Sequence, residues 1–250
     1  INSTLSFLIF LPEMERLFQS SPSYRRNFID RLIYSEKSDY NTLINKYKKN
    51  LIERNKILQL NSIDTNWINY IEKQISDIAI EIYKLRNEKI NFLNSHIKKL
   101  NNSNNYNFKI NLKLKDSFFN SNLDPEEYVA NLSHGREFDR KFGGSKIGPH
   151  KSDIVAIIND DFDAALLSTG QQKTVVLMIL LAQCDFLVNV KKIKPILLFD
   201  EICSHLDEGN RKILLDMVNK FEIQFFLTGT EKTLFSFLST KLKFYNITEL

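Results

Sequence analysis

The acidic pair Asp200-Glu201 stands directly after four apolar residues, Ile196 to Phe199. Such a run favours a strand buried on both faces of a parallel sheet, and ligands bind at the carboxyl ends of strands in these sheets. In phosphate hydrolysis one carboxylate holds magnesium and its neighbour polarises the attacking water. We assign the first role to Asp200 and the second to Glu201. The alternative is a buried strand that ends in two solvated acids.

A serine and a glycine, Ser168 and Gly170, precede an apolar helix predicted from Thr174 to Leu187. At a helix N-terminus, unpaired backbone N–H groups and the helix dipole attract phosphate. A serine that only caps a core helix is the alternative interpretation. A third motif, Ser204-His205-Leu206-Asp207, follows closely after the acidic pair.

The elements that would position these motifs alternate between helix and strand. Beyond Leu166 the predicted order is helix, strand, helix, strand, as in an α/β layer. Two further strands are predicted upstream. Apolar and polar residues alternate in the first, and the second, Ile154 to Ile158, ends at Asn159-Asp160-Asp161, a plausible turn. The predicted strands cover about residues 108–114, 154–158, 196–199, 223–227 and 242–247.

Helical segments are predicted before these strands. Ser21-Pro22 is typical of a helix start, and that helix would end near Ile33. Two longer segments, about residues 38–60 and 64–100, are separated by a polar turn. The second has apolar residues at alternating spacings of four and three, typical of a coiled-coil seam. We expect an antiparallel helical hairpin. The seam residues are Ile71, Ile75, Ile78, Ile82 and Leu85.

Composition places the 250 residues among globular proteins, at 43% hydrophobic and 26% charged. The longest apolar run, Val175 to Ala182, is shorter than the about 20 residues of a membrane span, so we expect a buried helix and no membrane. Two cysteines without metal-ligand spacing suit a reducing cytoplasm.

Positive charge is concentrated in the helical segments. Residues 41–100 contain eleven Lys or Arg and six Asp or Glu, whereas the whole chain has a net charge of +4. A basic arm fits polyanion binding, although a solvated helical face is an equal alternative. Such residues would contact DNA phosphates without reading sequence. For the arginines near the first helix, the alternative is pairing with acids of the first lobe. The DNA-binding candidates are Arg25, Arg26, Lys48, Lys49, Arg54 and Lys56.

The order of the three motifs resembles the signature motif, Walker B and D-loop of ABC ATPases. Within that class, further segments resemble the RecF family of DNA-repair ATPases, and the resemblance runs from about Ile9 to Phe237. The segments are Pro12 to Phe18, Ser21 to Asp30, Gly148-Pro149-His150-Lys151-Ser152-Asp153, and the signature form Gly170-Gln171-Gln172-Lys173.

The resemblance implies a fold and a division of the chain. The fold class is α/β, the C-terminal part of an ABC-type P-loop ATPase head with an inserted antiparallel helical hairpin. The expected domains are a helical lobe II arm over residues 1–107, a connecting β segment over 108–166, and the ATPase part over 167–250. His150 and Asp153 have no catalytic partners, and we expect them to make structural hydrogen bonds.

The resemblance also implies a function: a cytoplasmic ATPase of DNA repair, replication and the SOS response. It would dimerise with ATP on single-stranded, double-stranded or junction DNA and act with RecO and RecR in loading RecA at gaps. ATP and Mg²⁺ would be the cofactors, and the signature serine of one subunit would reach the γ-phosphate held by the other. The nucleotide-binding candidates are Ser168, Gly170, Gln171, Gln172, Lys173 and Asp207.

Two departures from the family pattern limit this expectation. A Walker A loop requires Gly-Lys, and none of the seven glycines precedes a lysine. We therefore expect a fragment without its first lobe, which binds ATP poorly or not at all alone. Thr228 stands where many ABC ATPases place a histidine, and it is a weak candidate for the phosphate region.

Two other function classes remain open on these residues. An SMC-like ATPase that tethers DNA would share the motifs, but its arms are far longer than residues 38–100. A non-enzymatic DNA or protein adaptor would keep the basic arm and hairpin, with Asp200 and Glu201 as relics.

Overall fold

A computed structural model of the chain describes residues 5–104, 109–118, 124–203, 207–238 and 243–246. These parts contain helices and short strands in mixed order, together with 3-10 segments. The helices are α1 (Pro22–Tyr34), α2 (Tyr40–Leu58), α3 (Thr65–Asn104), α4 (Pro125–His134), α5 (Arg136–Phe142), α6 (Thr169–Asp185) and α7 (Glu208–Lys220). The strands are β1 (Phe7–Phe10), β2 (Ile110–Lys115), β3 (Asp153–Ile158), β4 (Phe162–Asp163), β5 (Ile196–Phe199) and β6 (Gln224–Leu227).

The chain forms two compact units, each built from separate stretches of sequence. Unit 1 comprises residues 1–20, 93–111 and 156–250, and unit 2 comprises residues 21–92 and 112–155. These boundaries do not coincide with the domain limits predicted after residues 107 and 166.

A parallel sheet in the order β1-β5-β6 organises unit 1. The predicted strand at Ile196–Phe199 is confirmed as its centre, and β6 confirms the strand predicted near residue 224. β1 was not predicted; it pairs with β5 so that Phe7 faces Ile196 and Phe10 faces Phe199. The prediction of a strand at residues 242–247 is wrong for Lys243 to Asn246, which form none; its two ends lie outside the described residues.

Helix α6 is the core helix of unit 1. It begins with a reciprocal cap at Ser168 and packs against α7 and the 3-10 segment Pro12–Gln19. The stretch Thr169–Val190 is long and apolar enough to cross a membrane, but 72% of its most apolar window is buried inside the protein. A helix that is apolar all round and buried belongs to a protein core, which confirms the predicted buried helix.

Unit 2 has a core that α2 and α3 share. Tyr47, Ile57 and Leu58 of α2 join the seam isoleucines Ile71 and Ile75 of α3 in one buried cluster. On α3 the buried isoleucines from Ile68 to Ile82 recur at spacings of three and four, which places them on one stripe of that helix. The structure confirms both predicted helices, and α1 is confirmed with Ser21 as its cap.

A second sheet has the order β2-β3-β4. β3 and β4 are antiparallel and joined through Asn159 and Asp160, both with positive φ. Three residues, Asn159 to Asp161, separate the paired Ile158 and Phe162, and Asn and Asp tolerate a positive φ better than most side chains. The predicted turn is thus confirmed.

Candidate acidic edge and signature helix

Three predicted residues meet at the carboxyl edge of the parallel sheet. Asp200 and Glu201 follow β5, and Thr228 follows β6. The Thr228 hydroxyl donates a hydrogen bond to Asp200 Oδ1 and accepts one of 2.9 Å from the Glu201 backbone N–H. All three residues are exposed. The side chain of Thr228 therefore orients the Asp200 carboxylate and holds the backbone of Glu201, at an edge that a ligand can reach.

The backbone of Glu201 is left-handed, with φ of 47°. This conformation is uncommon for residues other than glycine, and such strain concentrates at functional sites. Because the Thr228 hydroxyl accepts the Glu201 N–H, the contact between the two strand ends holds the left-handed turn. The turn directs the chain away from the strand line directly after Asp200.

Ser168 caps helix α6. Its hydroxyl accepts a hydrogen bond from the Gln171 N–H at 3.3 Å, and the Gln171 side chain accepts one from the Ser168 N–H at 3.0 Å. The reciprocal pair is a capping box. Both residues are exposed. Since the Ser168 oxygen acts as acceptor in the cap, its own O–H proton is still available to another acceptor.

The start of α6 meets the start of α7. Asp207 caps α7 by accepting a 2.7 Å hydrogen bond from the Asn210 N–H, and the buried Asn210 amide donates to the Gly170 carbonyl at 3.3 Å. A methyl group on Gly170 would lie 3.9 Å from Asp207 Oδ2. The motif residues Gly170 and Asp207 are thus brought together, whereas Ser204, His205 and Leu206 lie outside the described residues.

Two of the predicted nucleotide-binding side chains are buried. Lys173 forms an ion pair of 2.6 Å with Glu15, and its ammonium lies over the Phe10 ring. Gln172 donates to the Leu167 carbonyl at 3.0 Å. Both side chains are engaged inside unit 1, where they join α6 to the segments around it.

The metal-binding potential of this edge rests on few ligands. Among the described residues, no group of three or more His, Cys, Asp and Glu side chains is placed to hold a metal ion. Mg²⁺ is usually bound through one or two carboxylates together with phosphate oxygens and water. Asp200 fits this requirement, because it is exposed and its hydrogen bond from Thr228 occupies only Oδ1.

The prediction that Arg54 binds DNA is wrong. Its side chain is 1% exposed and donates to Glu72 Oε1 at 2.9 Å, Asp139 Oδ2 at 2.7 Å and the Leu132 carbonyl at 2.7 Å. A guanidinium enclosed in this way cannot reach a DNA phosphate. It instead neutralises two buried carboxylates.

The other predicted DNA contacts fall into two groups. Arg25 forms a bidentate ion pair with Asp153, in which both hydrogen bonds are 2.7 Å long. Arg26 donates to the Ser152 carbonyl. Both arginines are therefore engaged by groups of unit 2. Lys48, Lys49 and Lys56 are exposed on α2.

The expectation of structural hydrogen bonds at His150 and Asp153 is confirmed. His150 donates from Nε2 to the Ser145 carbonyl at 3.0 Å, which leaves Nδ1 to accept the Tyr47 hydroxyl at 2.8 Å. Asn210 is a site residue that was not predicted. Its position three residues after Asp207 is the signal of a capped helix start, but its bond to Gly170 spans forty residues.

Comparison with known proteins identifies a family and several relatives that this chain resembles. The profile of the RecF/RecN/SMC N terminal domain family matches residues 14–249. The chain is 33% identical over 233 residues to the DNA replication and repair protein RecF of Rickettsia felis, covering 90% of this chain and 63% of that protein. It is 31% identical over 250 residues to RecF of Rhizobium etli, covering 98% and 67%.

Solved structures show the same fold. The recombination mediator protein RecF of the RecFOR pathway, as RecF-ATPrS, matches with a TM-score of 0.77 and 23% identity, covering 94% of this chain and 64% of that one. The RecF-ATP structure matches with a TM-score of 0.76, covering 91% and 63%. The chain therefore spans about 63% of the length of several relatives that it matches.

Proposed function

The chain belongs to the RecF/RecN/SMC N terminal domain family, with RecF proteins as its relatives, and from this we propose that it is part of a RecF-type ATPase. The whole protein would bind DNA as an ATP-dependent dimer and help load RecA at single-strand gaps, together with RecO and RecR. The observation that carries the proposal is the sheet edge where Asp200, Glu201 and Thr228 meet.

At this edge the two acids have separate roles. Asp200 would hold Mg²⁺, which neutralises charge on the phosphates when bound. Glu201 would orient and polarise the attacking water as a general base. Thr228 is a positioning residue, since its hydroxyl joins the Asp200 carboxylate to the backbone of Glu201.

The start of α6 would supply the second half of a nucleotide site. The exposed O–H of Ser168 and the N–H groups around Gly170 are donors beside a helix N-terminus, which favours the γ-phosphate held by a second copy. Asp207 would lie at the same contact because it approaches Gly170. Lys173 and Gln172 would support α6 from inside the unit.

The phosphate-binding loop must come from elsewhere in the whole protein. No glycine of this chain precedes a lysine, and about a third of the relatives' length is not spanned. One face of the β1-β5-β6 sheet is apolar and exposed, at Phe7, Ile9 and Phe226. Parallel sheets normally have both faces covered, so we infer that the remaining part of the protein packs on this face.

The helical arm is a further part of the proposal. We infer that α2 and α3 form the antiparallel hairpin inserted into the head, because they share one core and the Arg54–Glu72 ion pair. Lys48 and Lys49 are exposed on α2 and would contact DNA phosphates. Such contacts add affinity and salt dependence, not sequence preference.

The proposal is tested by Glu201→Gln in the full-length protein. The amide keeps the size of the side chain but cannot accept a proton, so hydrolysis should fall about a hundredfold or more. ATP binding and dimerisation should persist, and the variant should accumulate as a dimer on DNA. The measurements are phosphate release and size-exclusion chromatography with light scattering, with ATP and duplex DNA present.

The matched control is Glu222→Gln, an exposed glutamate near the start of β6. It should hydrolyse ATP like the natural protein. Normal turnover by the Glu201→Gln variant would refute the role given to this residue.

A further inference from the structure

Two exposed phenylalanines lie side by side on the outer surface of α5. Phe138 is 48% exposed and Phe142 is 64% exposed, and their ring centroids are 4.4 Å apart with the planes tilted by 32°. They are one helical turn apart, which brings their side chains together. Two neighbouring aromatic rings in water are a costly arrangement, and such clusters mark binding surfaces.

One cation lies over this ring pair, and two others are close to it in sequence. The ammonium of Lys146 lies over both rings, 5.4 Å from the centroid of Phe138 and 5.8 Å from that of Phe142. Gly143 and Gly144 have positive φ and turn the chain between Phe142 and Lys146. Arg140 and Lys141 are also exposed. Within the described residues, none of these three cations forms an ion pair with an acid.

Helix α5 is held firmly although it has only seven residues. Asp139 accepts a bond from the buried Arg54, and the Arg140 carbonyl accepts one of 2.8 Å from the Gln59 side chain. Arg136 pairs with Glu72. The inner side of α5 is thus anchored at three positions while its rings face outward, so the rings form a preorganised platform.

We propose that the α5 surface, formed by Phe138, Arg140, Lys141, Phe142 and Lys146, binds single-stranded nucleic acid. Unpaired bases would stack on the two rings and displace the Lys146 ammonium, which together with the other cations would contact the phosphates. Surfaces that combine exposed aromatic rings with unpaired cations bind single strands in this way. The charge favours a nucleic acid over an apolar protein segment, since exposed Glu137 is outnumbered by three cations.

This inference goes beyond the proposed function, which assigns no residue to bases. It concerns unit 2 alone and requires neither ATP nor the acidic edge. Failure of the ATPase proposal would therefore leave it standing, and the reverse also holds.

The test compares three fluorescent probes by anisotropy without nucleotide, using the whole 250-residue chain. The probes are an oligothymidine of about 20 nucleotides, which exceeds a typical site of about 4–16, an abasic strand of equal length, and a duplex. The abasic strand keeps the phosphates but has no bases. The natural chain should bind oligothymidine more tightly than the abasic strand.

The double variant Phe138→Ala/Phe142→Ala should weaken oligothymidine binding about tenfold or more. Its affinity for the abasic strand and the duplex should change by less than about twofold. Phe138→Tyr/Phe142→Tyr keeps two rings and should restore binding. The control Tyr34→Ala/Tyr70→Ala removes two exposed rings elsewhere in unit 2 and should have no effect.

Several results would overturn the inference. Equal affinity of the natural chain for oligothymidine and the abasic strand would show contacts to phosphates only. Unchanged oligothymidine binding by the alanine pair, with circular dichroism confirming the fold, would place the single strand elsewhere. No binding to any single strand would point to a protein partner for this surface.

Discussion

The guanidinium of Arg54 lies between the carboxylates of Glu72 and Asp139, all three buried. Removing one member of a buried ion pair leaves a charge without compensation, which costs about 3–5 kcal/mol. We therefore expect Arg54→Met to lower the free energy of unfolding by about that amount, measured by urea denaturation. The exposed Lys48→Met on the same helix should change it by less than about 0.5 kcal/mol.

A different result would restore the DNA-binding role of Arg54. If Arg54→Met had the same unfolding free energy as the natural chain but bound duplex DNA more weakly, the assignment of Arg54 to a buried ion-pair network would be wrong. Sequence alone does not distinguish Arg54 from Lys48 or Lys49. A lone arginine on a basic helix is informative only once its partner, Asp139, is known to lie beside it, and that partner is 85 positions away.

His150 makes the stability of unit 2 depend on pH. Burial disfavours the charged imidazolium and lowers the pKa of His150 from 6.5 to about 4, with smaller effects of Lys151 and Arg26 in the same direction. Between about pH 4 and pH 6.5, His150 is therefore protonated in the unfolded chain and neutral in the folded chain. Stability contributed by neutral His150 is complete above pH 6.5 and is lost as pH falls towards 4.

The expected loss is on the order of 3 kcal/mol, since one unit of pKa corresponds to about 1.4 kcal/mol. His150→Gln should remove this part of the slope when unfolding free energies are measured from pH 7 to pH 4.5. The exposed His134→Gln is the control and should keep the slope. An unchanged slope in His150→Gln would mean that another group causes it.

At the scale of elements, two substitutions of Ser168, the cap of α6, distinguish its effect on stability from its effect on nucleotide binding. Ser168→Ala removes the side-chain acceptor and should cost about 1 kcal/mol of unfolding free energy. Aspartate is an equally good cap and its charge suits a helix N-terminus, so Ser168→Asp should be as stable as the natural chain. In the full-length protein, however, its charge would repel the γ-phosphate, and ATP-dependent dimerisation should fail in both variants.

The aspartate variant decides between the two interpretations of Ser168. If light scattering shows that full-length Ser168→Asp dimerises normally with ATP, the residue serves only as a helix cap. Failure of both variants, with only Ser168→Ala destabilised, would support a contact between its hydroxyl and the nucleotide.

Elements with an apolar pattern of their own could be predicted, whereas β1 and α5 could not. The pattern of apolar residues is sufficient to predict four elements: helices α2, α3 and α6 and strand β5. Strand β1 has four residues and is defined by pairing with β5, nearly 190 positions away. Helix α5 has no buried apolar stripe, because both its phenylalanines are exposed and Asp139 anchors it. The proximity of Asp200 and Thr228 followed from parallel strands, but the left-handed φ of Glu201 did not.

On the scale of the whole molecule, the parallel sheet has two unlike faces. Leu8, Phe10, Leu197 and Phe199 are buried on one face. On the other face, the register places Phe7 beside Ile196 and, two positions further, Ile9 beside Leu198 and Phe226. Phe7 is 42% exposed and Phe226 is 50% exposed. An apolar sheet face in water favours self-association of the isolated chain.

The double variant Phe7→Thr/Phe226→Thr should therefore have opposite effects in two contexts. In the 250-residue chain, threonine keeps the strand preference and removes exposed apolar surface, so dye binding by ANS and self-association in light scattering should decrease. In the full-length protein the same face would be buried, and burying a hydroxyl in place of each ring should lower the unfolding free energy by about 2 kcal/mol or more.

The control Tyr34→Thr/Ile52→Thr changes exposed residues of unit 2 and should have small effects in both. Equal stability of the full-length variant and its parent would show that this face stays open in the whole protein, and the proposed packing of the remaining third on the sheet would then be wrong.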